Sequence, residues 1–209
     1  MSTDILDDVR DGVGLTLAPL NVGQYHQMIR DGILLDGEPI ELIRGTLVYK
    51  DRRDKTGGVM THGSRHLNTL NKLNAILSKW VAGRAAFLQI QGPIILNSES
   101  EPEPDCSLIL GSVDDFRDDV PDAAAVLAVF EVANSSLRTD GRTKLRLYAE
   151  ASIPLYFIVN LKDNLIEVHS EPIPAESQYG NRIEFASGDT LQVAVGDIGT
   201  FSIAVQELL

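Results

Sequence analysis

With one cysteine, Cys106, in 209 residues, the chain has no means of forming an internal disulfide and no cysteine cluster for zinc. Aromatic residues are sparse at 6% of the sequence. No apolar run approaches the roughly 18 residues that a bilayer demands, and the first residues lack a basic-then-apolar export pattern. A cytoplasmic protein is therefore expected. Also absent are a Walker phosphate loop, a G-x-G-x-x-G turn and a G-x-S-x-G nucleophile turn, which removes the common nucleotide-binding and serine-hydrolase readings. His62 and His66 lie four apart, but Gly63 stands where a zinc protease needs its glutamate.

Basic charge is scarce as well. The net charge is −12, which argues against a polyanionic partner if spread evenly. It is not spread evenly: Met1–Asp11 holds −3 and Glu99–Asp122 holds −8, so the remainder is close to neutral. Two basic clusters, Lys50–Lys55 and Arg138–Arg146, leave room for a local positive surface.

The hydrophobic content of 44% suits one domain of this length. Residues 1–20 read as a flexible acidic N-terminal arm and 21–209 as the folded domain. Asn21 is a plausible cap for a short helix over Val22–Arg30. Ile40–Ile43 and Thr46–Tyr49 flank Arg44-Gly45 as a hairpin. Leu67, Leu70, Leu73, Ile76, Leu77 and Trp80 recur at three and four, predicting a helix over Ser64–Val81. Strands are expected over Ala86–Leu96 and Asp105–Leu110, joined by an exposed acidic connection, Asn97–Pro104. Ala123–Val132 reads as a strand buried on both faces. A helix follows over Arg138–Ala151, then strands at Leu155–Leu161 and Ile166–His169, and short strands beyond. The core order is helix, strand, strand, strand, helix, strand, an α/β arrangement preceded by a hairpin.

Asp105 opens one strand and Glu131 nearly closes another. If those strands are neighbours, both carboxylates sit at one edge of the sheet. With a backbone carbonyl such as that of Val132 and waters, they would make a hard-oxygen site for Mg²⁺ or Mn²⁺, an ion able to activate water and offset phosphoryl charge. Asp105 is otherwise a strand-start residue after proline. A carboxylate at the end of Ala123–Phe130 is harder to explain without a cation or an open edge. Asp140 and Lys144 fit either a surface i,i+4 pair or a lysine reaching back over the site. Glu41 is either the solvent face of its strand or a third acidic ligand, and His66 is either polar surface or a phosphate contact. Asn134-Ser135-Ser136 is best read as a cap for the helix that follows.

Taken in order, Glu41-Leu42-Ile43-Arg44-Gly45, His66 with Asn71 and Leu73, Gln91, Ser100-Glu101-Pro102-Glu103-Pro104-Asp105, Phe130–Ser136, Asp140 with Lys144, Tyr148-Ala149 and Ile153-Pro154 followed by Tyr156–Val159 form one pattern. That pattern resembles the Uma-two family of restriction-endonuclease-like proteins, a branch of the PD-(D/E)xK superfamily. The resemblance runs from about Val22 past His169. It implies a restriction-endonuclease-like core, divalent-metal-dependent hydrolysis of DNA phosphodiester bonds, and a homodimer. Asp105 and Glu131 match the motif carboxylates. Lys144 matches the motif lysine moved onto the helix, since Ala133 stands where the superfamily usually has lysine. Glu41 and His66 match further motif positions. His62 departs from a common proline, and Asn160 from a common aspartate. Two rival expectations stand beside the DNA endonuclease: a non-catalytic nuclease-fold module that binds DNA or protein, favoured by the acidic charge and by Ala133, and hydrolysis of another phosphodiester such as RNA.

Overall fold

The computed structural model describes residues 16–35, 37–50, 63–134 and 136–209. His62, Ser135, most of the Lys50–Lys55 cluster and residues 1–15 of the expected arm lie outside them.

Helix α1, Val22–Arg30, starts where Asn21 and Gln24 cap each other. The Asn21 side chain accepts the Gln24 N–H and the Gln24 side chain accepts the Asn21 N–H, both at 2.9 Å. This reciprocal box satisfies two amides that have no partner inside the helix. Strands β1 (Ile40–Ile43) and β2 (Thr46–Tyr49) pair antiparallel around Arg44 and Gly45, at φ +49° and +72°. Two consecutive positive φ values give the tight turn whose twist matches the strands. Gly45 is required there twice over, because a Cβ would fall 2.2 Å from the Pro19 Cβ.

Helix α2, Ser64–Val81, buries Leu70, Leu73 and Leu77, while Leu67, on the predicted apolar stripe, is 49% exposed. Six strands then form one mixed sheet in the order β3-β4-β5-β6-β7-β8: β3 Ala86–Ile90, β4 Cys106–Leu110, β5 Val126–Ala133, β6 Leu155–Asn160, β7 Leu165–Ile173 and β8 Gln178–Ala186. Every pairing is antiparallel except β5 with β6. Parallel neighbours need a crossover, and residues 137–150 supply it as helix α3, with a π-helical turn at Asp140–Lys144. A separate hairpin, β9 (Thr190–Val195) with β10 (Gly199–Ala204), closes the chain.

One sheet face packs Phe130 and Phe157, stacked at 4.3 Å, against Leu70, Leu73 and Leu77 of α2 and Leu191, Phe201 and Ile203 of the last hairpin. The other face packs Val129, Tyr156 and Ile158 against Leu147 and Tyr148 of α3 and Ile94 of the 91–104 segment. β5 and β6 are thus covered on both sides, which accounts for their nearly continuous apolar sequence. Among the described residues no helix is long and apolar enough to cross a membrane.

The core order helix, strand, strand, strand, helix, strand is the observed one, and several boundaries differ. β3 stops at Ile90 rather than Leu96, because Gln91 adopts φ +47° and Gly92-Pro93 follows, and proline has no N–H to extend the ladder. β5 begins at Val126 rather than Ala123, because Asp122 caps a 3-10 turn over Ala123–Ala125, its Oδ1 accepting the Ala124 and Ala125 N–H groups at 3.1 and 3.3 Å. β7 runs on to Ile173, paired along its length with β8. The connection 97–104 is not exposed throughout. Ser100, Glu101, Pro102 and Pro104 are buried, because the β1–β2 hairpin lies along it: the Glu101 N–H donates to the Leu42 carbonyl at 2.7 Å, the Gly45 N–H to the Glu99 carbonyl at 2.7 Å, and the Arg44 N–H to the Ser100 hydroxyl at 3.0 Å.

Candidate active site

Asp105 stands one residue before β4, and continuing the Cys106–Phe130 register sets it opposite Glu131. One Asp105 oxygen, Oδ2, accepts the Val132 N–H at 2.9 Å. The other, Oδ1, lies 3.5 Å from His66 Nε2 on α2. Burial alone would raise the Asp105 pKa, but His66 and the Val132 amide outweigh it and hold the carboxyl below its usual value. Asp105 is therefore ionised. The Ala133 carbonyl turns toward β6, where it accepts the Leu161 N–H at 2.9 Å. Alternation along the strand then points the Val132 N–H and carbonyl the other way, into the space beyond the end of β4 where Asp105 sits.

Glu131 is 4% exposed. Its Oε1 accepts from Lys144 Nζ at 2.7 Å and from the Tyr148 hydroxyl at 2.9 Å. Lys144 Nζ also stands 3.5 Å from Glu41 Oε1, which accepts the Glu103 N–H at 2.8 Å. Glu41 reaches the site because β1 is laid along the 97–104 segment. Lys50, at the end of the same hairpin, pairs with Glu103. Asp140, 2% exposed, lies on the same face of α3 as Lys144 and Tyr148, its Oδ2 buried without a hydrogen-bond partner among the described residues.

Four buried carboxylates, Glu41, Asp105, Glu131 and Asp140, thus surround one buried ammonium. Glu131 is raised to about 8, first by burial and then by Asp140 and Asp105, with Lys144 opposing. Asp140 is raised to about 6, first by burial, with Lys144 and Ser136 opposing. Burial disfavours a charged Lys144, but Glu131, Glu41 and Asp140 together hold it protonated. These shifts agree: one cation satisfies one carboxylate, and the excess negative charge is relieved by retained protons.

A divalent cation would relieve the same excess, and the donors suit one. They are hard oxygens, one of them, Asp140 Oδ2, orphaned in the interior, and a main-chain carbonyl is presented beside Asp105. Among the described residues no three His, Cys, Asp or Glu side chains gather closely enough to enclose an ion by themselves. The arrangement fits an ion such as Mg²⁺ or Mn²⁺, which takes one or two carboxylates and completes its shell with water and substrate oxygens.

Glu41, Asp105, Glu131, Val132, Lys144 and His66 are all brought to one place. For two of these segments the structure decides between the alternatives left open by the sequence. Glu41 is not on a solvent face, being 4% exposed, because the hairpin's packing along 97–104 turns it inward. Asp140 and Lys144 are not a surface pair: the π turn rolls both inward, and Lys144 bonds to Glu131 and Glu41 instead. The Ser136 side chain makes no capping bond; it lies beside Asp140 and lowers that carboxyl's pKa against the effect of burial. Asn160 stays out of the cluster, its Oδ1 accepting the Lys162 and Asp163 N–H groups at 3.1 and 3.0 Å to shape the β6–β7 turn. Tyr148 and Asp140 are contributors to which the sequence reading assigns no site role. The signal was present in their spacing, since residues 140, 144 and 148 are four apart and share a helical face.

The fold and site can be set beside known proteins. A crystal structure titled as a putative nuclease belonging to DUF820, from Anabaena variabilis ATCC 29413, superposes with a TM-score of 0.66 at 14% identity, covering 91% of this chain and 97% of that one. Likeness at that identity establishes a common fold. A search of curated proteins gives no match. The family model Uma2, described as "Putative restriction endonuclease", matches residues 22–204, and the chain belongs to that family.

Proposed function

We propose that the chain is a divalent-metal-dependent endonuclease that hydrolyses DNA phosphodiester bonds, with residues 21–209 as its catalytic domain. The observation that carries this reading is the pairing of Asp105 and Glu131 across adjacent strands at the open end of β4, with Lys144 Nζ 2.7 Å from Glu131. Asp105, Glu131 and the Val132 carbonyl would hold Mg²⁺ or Mn²⁺, and Glu41, which faces Lys144 at 3.5 Å, would join as a further acidic ligand only by turning from the lysine toward the ion. When bound, such an ion lowers the pKa of water and neutralises charge that builds on a phosphoryl oxygen.

The chain's own groups do the rest. The Val132 N–H fixes the Asp105 carboxylate in orientation, and His66 keeps it ionised. Tyr148 and Lys144 both donate to Glu131 Oε1, so the carboxylate is aimed before substrate arrives. Lys144, held protonated, is a donor that can orient the attacking water or a phosphate oxygen as negative charge grows. Because Lys144 comes from α3 rather than from the strand, it meets Glu131 from the side without needing a lysine at Ala133. His66 borders the site beside Asp105 and would contact a phosphate oxygen of bound substrate.

The test is cleavage of supercoiled plasmid and single-stranded DNA, with Mg²⁺ or Mn²⁺ and with EDTA, by wild type and by an Asp105→Ala/Glu131→Ala double variant. Metal-dependent nicking that the double variant lacks is the expected result. A folded wild-type protein that cuts neither substrate and binds no metal by calorimetry would refute the catalytic reading and leave a nuclease-fold binding module.

A further inference from the structure

The outer face of α3 carries a second row of charged side chains. Asp140, Lys144 and Tyr148 form the inner row. Arg138, Arg142 and Arg146, each offset from that row by two residues and so by about 200° around the helix, are exposed. Together with Thr139, Thr143 and Arg44 of the β1–β2 turn they line an open groove of about 410 Å³. Arg44 is held by Glu150 at 2.6 Å. Among the described residues Arg138, Arg142 and Arg146 have no ion-pair partner. On a chain of net charge −12, three guanidinium groups without an ion-pair partner, ranged beside Arg44 and interleaved with hydroxyls, call for an anionic partner from outside.

We infer that this groove docks the sugar-phosphate backbone of a nucleic acid, and so fixes the side from which the strand enters the carboxylate site. The proposal rests on the nuclease reading and adds the docking surface to it. Guanidinium groups bind phosphate oxygens through paired N–H donors, and threonine hydroxyls are further phosphate donors. The groove is open and elongated along α3, which fits an extended polyanion running past it. Both of its walls also serve the site: the β1–β2 hairpin presents Glu41, and α3 presents Lys144. A backbone held on the outer face therefore lies one helix diameter, about 10 Å, from the inner row. Contacts there position a neighbouring stretch of the strand rather than the phosphate that is cut. The chain's net charge of −12 disfavours the same polyanion elsewhere, so the groove sets orientation as well as affinity.

The experiment is fluorescence anisotropy of a labelled duplex and a labelled single strand across a salt series, in EDTA so that nothing is cut. It compares wild type with Arg138→Ala/Arg142→Ala/Arg146→Ala, with the single charge reversal Arg142→Glu, and with Arg117→Ala as a control for loss of a positive charge outside the groove. Each lost phosphate contact should flatten the log–log salt dependence by about 0.9 for duplex or about 0.7 for single strand. The triple variant is expected to lose about two to three such contacts and at least tenfold in affinity at the lowest salt. Arg142→Glu should fall in the same direction, and Arg117→Ala should match wild type, with all thermal midpoints alike. A triple variant with the wild-type slope overturns the proposal. So does saturable binding of inorganic tripolyphosphate without binding of either oligonucleotide. Cleavage with Mg²⁺ is scored separately: groove-dependent binding without cutting refutes the nuclease and keeps the groove, while undiminished cutting and binding by the triple variant does the reverse.

Discussion

Replacing Lys144 by Met removes the buried ammonium that stands among Glu41, Asp105, Glu131 and Asp140 while keeping most of the side-chain volume. Breaking a buried pair by deleting one partner costs about 3–5 kcal/mol, because the other charge is left uncompensated. Part of that cost is recoverable by protonation. Glu131 is already raised to about 8 and Asp140 to about 6, and both rise further without Lys144. A carboxyl raised above its unfolded value adds stability that is complete below the unfolded pKa, near 4, and is lost as pH climbs through the folded value. The penalty of Lys144→Met should therefore be smallest and flat below about pH 6, and grow above it as wild-type Asp140 and then Glu131 lose protons that the variant retains, at a rate bounded by about 1.4 kcal/mol per pH unit for each proton. Urea denaturation of wild type and variant in EDTA at pH 4.5, 6 and 8 reads this directly. A pH-independent difference, or a loss at pH 8 below about 1 kcal/mol, would refute the account of Lys144 as the counter-ion of a buried acidic cluster.

Tyr148→Phe removes one of two donors to Glu131 Oε1 and should cost about 1–2 kcal/mol in urea melts, with cleavage falling while the sheet is intact by circular dichroism; an unchanged rate would show that Lys144 alone orients Glu131. Glu167, on β7, is held down to about 2 by His169 and, against the effect of burial, by Arg182, whose Nε and Nη2 stand 3.0 and 2.9 Å from Oε2. A depressed carboxyl stabilises above its unfolded pKa and loses that contribution as pH falls through the folded value, so Glu167→Gln should be less stable than wild type at pH 7, and the gap should close between about pH 4.5 and 2. A gap that stays constant in acid-unfolding curves contradicts that pairing. On the proposed mechanism the carboxylate site would cut one strand at a time, so double-strand cleavage would call for two copies; light scattering should then report a homodimer, and a monomer that makes double-strand breaks in a single encounter would contradict the expectation.

The sequence by itself determined much of the architecture. The Asn21 cap, the Arg44-Gly45 turn and the spacing of Leu70, Leu73 and Leu77 encode their elements through local geometry, and an apolar run ending in Glu131 marks a strand covered on both faces. The ordered motifs around Asp105, Glu131 and Lys144 pointed to the family for the same reason: those signals are short in range. What only the tertiary structure decided depends on contacts between distant segments. Asn97–Pro104 looks exposed from its charge, yet Glu101 is buried because β1 hydrogen-bonds to it and its carboxylate meets His26 at 2.7 Å. Glu41 alternates with apolar neighbours in a way that fits either face of a strand, and only the hairpin's docking selects the inner one. Asp140 and Lys144 satisfy a surface-pair spacing, and a π turn, which leaves no clear mark in a sequence window, rolls them into the interior. Tyr148 was legible as a helical core residue, but its hydroxyl acquires a role only because β5 delivers Glu131 to meet it.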